Sequence, residues 1–255
     1  MSRLETVIDG FIATVRLNHP PVNAIDREMI DEFEKTLAVL EANRDLRVVV
    51  VTGARVFSAG VDIKLLRNAA PGDAVPRNAR FQAVYQQIDE HRLPVIAAIE
   101  GYALGGGCEL AMACDVRIAG EDTLFALPEI GLGGLPGIGG MTRARRLVGE
   151  GKAKQLVLSG ERISATEALR IRLIEELTPT GGAYERALEI ATAIAGRPPL
   201  SVQAGKRALN SGRDQSLLAS QEIDLRYCGE IAGTEDRGES LAAFLEKRAP
   251  VIVGR

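Results

Sequence analysis

The sequence predicts an α/β protein with a helical C-terminal region, and three observations lead to this prediction. Short β-branched runs, such as RVVVVTG at 47–53, alternate with amphipathic segments over the first two-thirds of the 255 residues. A strongly alanine-rich helical segment covers residues 183–195, and Pro198-Pro199 then marks a boundary. Beyond these prolines the pattern is almost wholly helical through Leu245.

These signals divide the chain into a core, residues 1–197, and a C-terminal helical region, residues 198–255. The composition, 46% hydrophobic and 25% charged, is ordinary for a soluble globular protein. A net charge of −3 gives no field that would favour nucleic acid or an anionic membrane. No uncharged run approaches the roughly 18 residues of a membrane span. The charged opening, MSRLETVIDG, predicts that no signal peptide is present.

Cysteine usage predicts a reducing compartment. Cys108, Cys114 and Cys228 form no CxxC pair, and the first two lie in an apolar helical segment where a buried, reduced thiol is expected. We therefore expect a cytoplasmic protein.

The N-terminal elements begin with two short strands over 4–17, joined by a tight turn at Asp9-Gly10. A helix is expected over Arg27–Asn43 with Asp26 as its N-cap. Its apolar residues recur on one face that would dock on a sheet: Met29, Ile30, Phe33, Leu37 and Leu40. The continuous β-branched run at 47–53 is typical of a strand covered on both faces.

The segment FSAGVDIKLL, residues 57–66, predicts a strand, a glycine turn at Ala59-Gly60 and a helix that Asp62 caps. The small, Pro- and Gly-containing residues 68–79 are expected to form a loop that could cover a ligand. A helix over 81–91 follows.

The stretch 94–136 repeats this junction on a larger scale. A buried strand at Val95–Ile99 leads to the three glycines 105–107, and CELAMAC then has the apolar density of a buried helix. A glycine run at a helix start presents bare backbone N–H groups at the positive end of the helix. Such a place stabilises negative charge, on a bound phosphate or on an oxygen during a reaction.

Two carboxylates, Glu109 and Glu129, lie in apolar surroundings within this stretch. Burial raises the pKa of a carboxyl group and makes it useful for acid–base chemistry near neutrality. The alternatives are a structural acid paired with an arginine for Glu109 and a helix-start cap for Glu129. Patterning alone leaves both interpretations open.

The remaining segments predict helices over 151–159 and 164–171 and a short basic helix after the GIGG turn at 137–140. In that basic helix we expect a solvated face formed by Arg143, Arg145 and Arg146.

Several kinds of site are excluded by their templates. No glycine-lysine-Ser/Thr occurs, and the glycines at 137–140 lack the last glycine of GxGxxG, which argues against nucleotide sites. His19 and His91 are isolated from other metal-ligand residues, so no metal site is expected. The sequence contains only these two histidines and no GxSxG motif, which argues against a Ser-His-Asp hydrolase.

Four sequence blocks resemble the crotonase, or enoyl-CoA hydratase/isomerase, family. They are PVNAID (21–26), FSAGVDIK (57–64), the long segment from AAIEGYALGGGCELA through LPEIGLGGLPGIGG (97–140), and FLEKR (244–248). They occur in the family's order and cover essentially the whole chain. The resemblance implies a spiral of ββα repeats with a C-terminal helical trimerisation region, and trimers or dimers of trimers.

The resemblance also implies an acyl-CoA thioester substrate, no metal and no separate cofactor, since coenzyme A is part of the substrate. By motif position, the backbone N–H groups of Val61 and Gly106 would form the oxyanion hole, and Glu109 and Glu129 would be the two catalytic acids of a hydratase. It further implies that the substrate contacts these residues: Ala59, Asp62, Ile63, Lys64, Gly105, Pro128, Phe244 and Lys247. Arg55 would lie near the expected CoA entry.

Within the family the reaction is left open by the sequence. Both acids favour hydration of a 2-enoyl-CoA, whereas an isomerase or a specialised hydratase or dehydratase, for example of crotonobetainyl-CoA, would share the oxyanion hole. A catalytically silent acyl-CoA-binding or RNA-binding relative is a further alternative, against which the near-neutral charge and the intact pair of acids count.

Overall fold

The computed structural model describes residues 2–255. In chain order its strands are β1 (Leu4–Asp9), β2 (Ile12–Leu17), β3 (Val48–Thr52), β4 (Val95–Ile99), β5 (Tyr102–Leu104), β6 (Val116–Gly120), β7 (Leu124–Ala126), β8 (Ile163–Ser164) and β9 (Glu176–Thr178). The helices are α1 (Arg27–Ala42), α2 (Ile63–Arg67), α3 (Ala74–Glu90), α4 (Gly106–Ala113), α5 (Gly140–Val148), α6 (Glu150–Ser159), α7 (Ala165–Arg170), α8 (Ala183–Ala195), α9 (Pro199–Gly212), α10 (Leu217–Ile231) and α11 (Glu235–Glu246). Short 3₁₀ turns occupy Pro71–Asp73 and Pro128–Leu132.

The main sheet has six strands in the order β1-β2-β3-β4-β6-β9, and a smaller sheet has the order β5-β7-β8. The β1–β2 hairpin is antiparallel, whereas β2 through β9 pair in parallel across the main sheet. In such a sheet, the loops after the carboxyl ends of β3 and β4 open at one edge. The predicted α/β class with a helical C-terminal region is confirmed.

The main sheet is covered on both faces, as its β-branched strands predict. Val49 and Val51 of β3 face a large core that includes the apolar side of α1, while Val48 and Val50 face a second core. That second core is closed by α8, whose alanines at every fourth position lie against the sheet: Ala183, Ala187, Ala191 and Ala195. The alanines allow a close approach of helix and sheet because they carry no bulk beyond Cβ.

The predicted start of α1 at Arg27 and its Asp26 cap are confirmed, with Asp26 Oδ1 accepting from Met29 N at 2.8 Å, and the helix ends at Ala42, one residue before the predicted Asn43. The predicted loop at 68–79 is wrong in its second half, because α3 already begins at Ala74. Pro76 lies in the first turn of α3, where a missing N–H costs nothing. The apolar side of the helix, which includes Phe81 and Tyr85, is buried.

The C-terminal region comprises α9 to α11, and the division at residue 197 falls in the turn between α8 and α9. Several large apolar side chains of α10 and α11 stand more than half exposed: Leu217, Leu218, Leu225, Leu241, Phe244 and Leu245. Among residues 2–255, no helix has the length and apolar character needed to cross a membrane.

Candidate active site

A cavity of about 530 Å³ opens between α2, α3, the start of α4 and the segment that follows β7. Both predicted acids line it, as do both predicted oxyanion-hole residues. Its remaining walls are mostly apolar, with contributions such as Ile63, Phe81 and Ile138. Few polar groups in a mainly apolar cleft are typical of a small-molecule site.

The backbone N–H groups of Val61 and Gly106 converge on this cavity. Val61 forms a parallel bridge with Ile25 in which Gly60 O and Asp62 N bond to Ile25, so Val61 N points to the opposite side, toward α4. A Cβ built on Gly106 would lie 3.4 Å from Val61 N, which shows how close the two backbones are. Within residues 2–255 neither N–H donates to a backbone acceptor. The two free donors stand at the N-terminus of α4, where the helix dipole adds positive potential.

The close approach depends on small residues and on two side chains that the sequence did not single out. Gly105, at φ +49°, adopts a left-handed conformation that favours glycine. Buried Ser58 donates to Asn23 O at 2.8 Å and accepts from Gly60 N at 3.1 Å, which fixes the turn before Val61. Tyr85 donates to Gly106 O at 2.9 Å from the side of α3. Neither side chain shows a sequence pattern beyond an ordinary buried residue.

Glu109 is almost fully buried on α4, with 1% of its surface exposed. Its Oε1 accepts hydrogen bonds from Ile138 N at 2.7 Å and Gly140 N at 2.8 Å, at the turn that leads into α5. No lysine, arginine or histidine of residues 2–255 lies within 4.0 Å of this carboxyl group, so the structural alternative of an arginine pair is not met. Two N–H donors therefore fix the orientation of Glu109 without neutralising it.

Burial and, to a lesser extent, the nearby charge of Glu129 raise the pKa of Glu109 to about 7, against the opposing effect of the two N–H donors. The carboxyl group thus exchanges its proton near neutral pH, as a general acid or base requires.

Glu129 lies opposite, in the 3₁₀ turn at Pro128–Leu132. Its Oε2 is buried and has no hydrogen-bond partner in the described chain. Desolvation by burial raises the pKa of Glu129 as well. Its Oε1 lies against Gly105, where a Cβ would come within 2.7 Å. The side chain caps no helix end, so the alternative of a helix-start cap is not met. An unpaired buried carboxylate oxygen at a cavity wall is available to a bound molecule.

We expect the Glu109→Gln variant to become more stable relative to the wild type as the pH rises. The folded protein holds the Glu109 proton more tightly than the unfolded chain does. In the wild type, protonation of Glu109 therefore contributes stability that is fully present below the ordinary pKa of 4.5 and is lost as the pH rises through the folded-state pKa of about 7. Glutamine stays neutral, and its Oε1 can accept the same two N–H groups. Urea unfolding at pH 5 and pH 8 should show a relative gain of about 2–3 kcal/mol over this interval. The exposed Glu121→Gln serves as the control, and a pH-independent difference for Glu109→Gln would contradict the assignment.

The basic helix corrects one expectation and supplies a residue that the sequence missed. Arg145 and Arg146 are exposed, as predicted, but Arg143 is only 8% exposed. Arg143 Nη1 donates to Ile138 O at 3.3 Å, and its guanidinium lies 3.8 Å from Asp89, which Arg213 also binds. Because Ile138 N is one of the donors to Glu109, Arg143 supports the turn that positions this acid. The prediction of a wholly solvated arginine face is wrong because α3 brings Asp89 to this helix.

The other predicted contacts fall into two groups. Ala59, Ile63, Gly105 and Pro128 line the cavity. Asp62 and Lys64 lie beside it in an adjoining depression, where Asp62 Oδ1 caps α2 by accepting from Lys64 N at 2.8 Å.

Three predicted positions do not line the cavity: exposed Arg55, and Phe244 and Lys247 at the end of α11. Within residues 2–255 no group of three or more His, Cys, Asp or Glu side chains could hold a metal ion.

Comparison with known proteins now adds to this geometry. A sequence model described as enoyl-CoA hydratase/isomerase matches residues 8–255. The chain belongs to the enoyl-CoA hydratase/isomerase family. It is 36% identical over 243 residues to a short-chain-enoyl-CoA hydratase of Clostridium acetobutylicum, covering 94% of this chain and 93% of that one. It is 38% identical over 257 residues to a 2,3-dehydroadipyl-CoA hydratase of Escherichia coli, covering 100% of both chains.

The solved structures agree with this membership. A crystal structure of an enoyl-CoA hydratase from Bacillus anthracis superimposes with a TM-score of 0.96 at 34% sequence identity, covering 99% of this chain and 100% of that one. The predicted crotonase-like fold is therefore confirmed, and the chain is an enzyme of a family that acts on acyl-CoA thioesters.

Proposed function

We propose that this enzyme is an enoyl-CoA hydratase that adds water across the 2,3 double bond of a 2-enoyl-CoA thioester. The observation that carries the proposal is the pair of buried acids, Glu109 and Glu129, in one cavity with two free backbone N–H groups. Relatives that are named as hydratases support the same reaction.

The N–H groups of Val61 and Gly106 would bind the thioester oxygen. A carbonyl polarised in this way makes C3 of the conjugated alkene electrophilic and draws enolate charge onto the oxygen. Each preorganised donor of this kind is worth about 10²–10³ in rate. The role needs no side chain, so the valine at position 61 leaves it intact and affects only the shape of the acyl site.

The two glutamates would hold one water molecule between them. One takes a proton from the water as its oxygen bonds to C3, and the other gives a proton to C2, so that the elements of one water are added to the same face of the alkene. Like charges in a buried site resist double ionisation, so a pair that shares one proton suits this exchange near neutral pH. The proposed reaction uses neither a metal ion nor a cofactor other than the CoA of the substrate.

Substrate contacts and assembly belong to the same proposal. Ala59, Ile63, Gly105 and Pro128 would contact the thioester, and Lys64 beside the cavity would meet the CoA moiety together with Asp62. Phe244, which is 81% exposed, and Lys247 would contact the CoA of a neighbouring subunit. The exposed apolar residues of α10 and α11 support a trimer or a dimer of trimers, built by a C-terminal region that we delimit at 198–255. The free, buried thiols of Cys108 and Cys114 support a cytoplasmic location.

The test is the loss of enoyl-thioester absorbance when crotonyl-CoA is mixed with the protein in buffer that contains a chelator and no added cofactor. Hydration predicts a fall in absorbance and a 3-hydroxyacyl product. An isomerase, the second candidate, would instead interconvert 3-enoyl and 2-enoyl thioesters with no gain of water. Binding of CoA esters with no turnover of a panel of enoyl thioesters would contradict both reactions.

A further inference from the structure

The wall that α3 contributes to the cavity carries a cation that hydration does not use. Arg77 is half-buried and lines the cavity one turn before Phe81. Among the described residues that line this cavity, the only other charged side chains are those of Glu109 and Glu129, and neither lies within 4.0 Å of Arg77. An arginine in a largely apolar cleft needs an anionic partner to offset its desolvation.

The carboxylates near Arg77 are already engaged. Asp73 Oδ2 accepts from Ala70 N at 2.9 Å, and Asp31 pairs with Arg80 at 3.1 Å. In residues 2–255, Arg77 has no ion-pair partner within 4.0 Å. Its Nε donates to Asn78 Oδ1 at 3.2 Å, and neither Nη group has an acceptor among the described residues. Two parallel N–H donors of this kind match the two oxygens of a carboxylate.

The neighbour that orients Arg77 is itself fixed. Asn78 packs against Gly137, where a Cβ would lie only 2.2 Å from the Asn78 amide nitrogen. Gln82, one turn later, donates to Gly137 O at 2.9 Å. These contacts join the start of α3 to the turn that positions Glu109, so the guanidinium has a defined place relative to the acids.

Arg77 stands at some distance from the reacting carbonyl. Tyr85 of α3 contacts Gly106, and Arg77 precedes Tyr85 by eight residues, which is about 12 Å along an α-helix. Arg77 thus lies about 12 Å along the helix axis from the residue that contacts Gly106, a separation that an acyl chain of several bonds would span.

We infer that Arg77 binds a carboxylate at the far end of the acyl chain, so that the preferred substrate is a 2-enoyl-CoA with an ω-carboxylate. The inference rests on the proposed hydratase function and specifies its substrate class. It also distinguishes between polar substrates, because a cationic acyl group such as that of crotonobetainyl-CoA would meet like charge at Arg77.

The test compares two six-carbon substrates, 2,3-dehydroadipyl-CoA and 2-hexenoyl-CoA, which share the CoA moiety and differ at the terminus. Wild-type kcat/KM should be higher for the dicarboxylic substrate. Arg77→Gln should lower kcat/KM for that substrate by about 10- to 100-fold, mainly through KM, because it removes a charge-assisted pair of hydrogen bonds. For 2-hexenoyl-CoA the change should stay within about 2-fold. Arg77→Lys should recover part of the loss.

The matched control is Arg80→Gln, which removes a cation from the same helix on the side that pairs with Glu34 and Asp31. Equal losses for both substrates in Arg77→Gln would overturn the inference, since they would indicate binding of a CoA phosphate or a damaged fold. No loss for either would overturn it as well.

A binding measurement separates this inference from the proposed reaction. Calorimetric titration with the unreactive adipyl-CoA and hexanoyl-CoA requires no turnover. A preference for adipyl-CoA that Arg77→Gln abolishes would support the carboxylate site even if neither enoyl thioester were hydrated. Equal affinities for the two saturated esters in the wild type would refute the site even if hydration were observed.

Discussion

Replacement of either buried acid by glutamine is expected to lower kcat for hydration by about 10²–10⁴-fold, the usual contribution of a positioned acid or base. Glutamine keeps the size of glutamate but cannot transfer a proton. Glu109→Gln and Glu129→Gln should therefore retain the fold and the affinity for a saturated acyl-CoA, which calorimetry can measure alongside the kinetics.

The control for this pair is Glu121→Gln, which removes an exposed carboxylate away from the cavity and should leave kcat unchanged. A double variant should lose little more than either single variant, because the two acids act on one water molecule. Turnover that persists undiminished in both single variants would refute the two-acid mechanism.

Gly140→Ala is expected to lower kcat by about 10²-fold through displacement of Glu109, since misplacement by about 1 Å is enough for a loss of this size. A Cβ at Gly140 would lie 2.6 Å from Glu109 Cγ and 2.7 Å from its Oε1, so the carboxyl group or the turn must move. Overpacking of this kind should also lower the free energy of unfolding by about 1–3 kcal/mol.

The matched control is Gly151→Ala in α6, where an added Cβ meets nothing within 4 Å. Alanine is the better helix former, so this variant should gain up to about 1 kcal/mol in urea unfolding and keep full activity. Full activity of Gly140→Ala would show that the position of Glu109 does not limit the rate.

The parts of the fold that the sequence predicted are those whose signals are local. The β-branched run at 47–53, the alanine repeat of α8 and the Asp26 cap each determine their own element. The glycines 105–107 beside Glu109 likewise join the positive helix end and the acid within a few residues.

The errors arise where a distant element decides the outcome. The residues at 68–79 include glycine and prolines typical of a loop, yet α3 begins at Ala74, and its first turns contact distant elements: Asn78 packs against Gly137 and Arg80 pairs with Glu34 of α1. In the sequence, Arg143 is one of three arginines in a short basic segment, and nothing distinguishes it from the other two. Its burial is explained only by Asp89, which α3 brings close to it. Arg77 lay within the predicted loop, so no sequence pattern placed it in the cavity.

The most direct test of the central claim is the product formed from crotonyl-CoA in ¹⁸O-enriched water, analysed by mass spectrometry and NMR. The proposed mechanism predicts a 3-hydroxyacyl-CoA that carries one ¹⁸O at C3, with no such product from Glu109→Gln or Glu129→Gln on the same timescale. Conversion of crotonyl-CoA to an isomerised alkene without ¹⁸O, or recovery of both crotonyl-CoA and 2,3-dehydroadipyl-CoA unchanged, would contradict it.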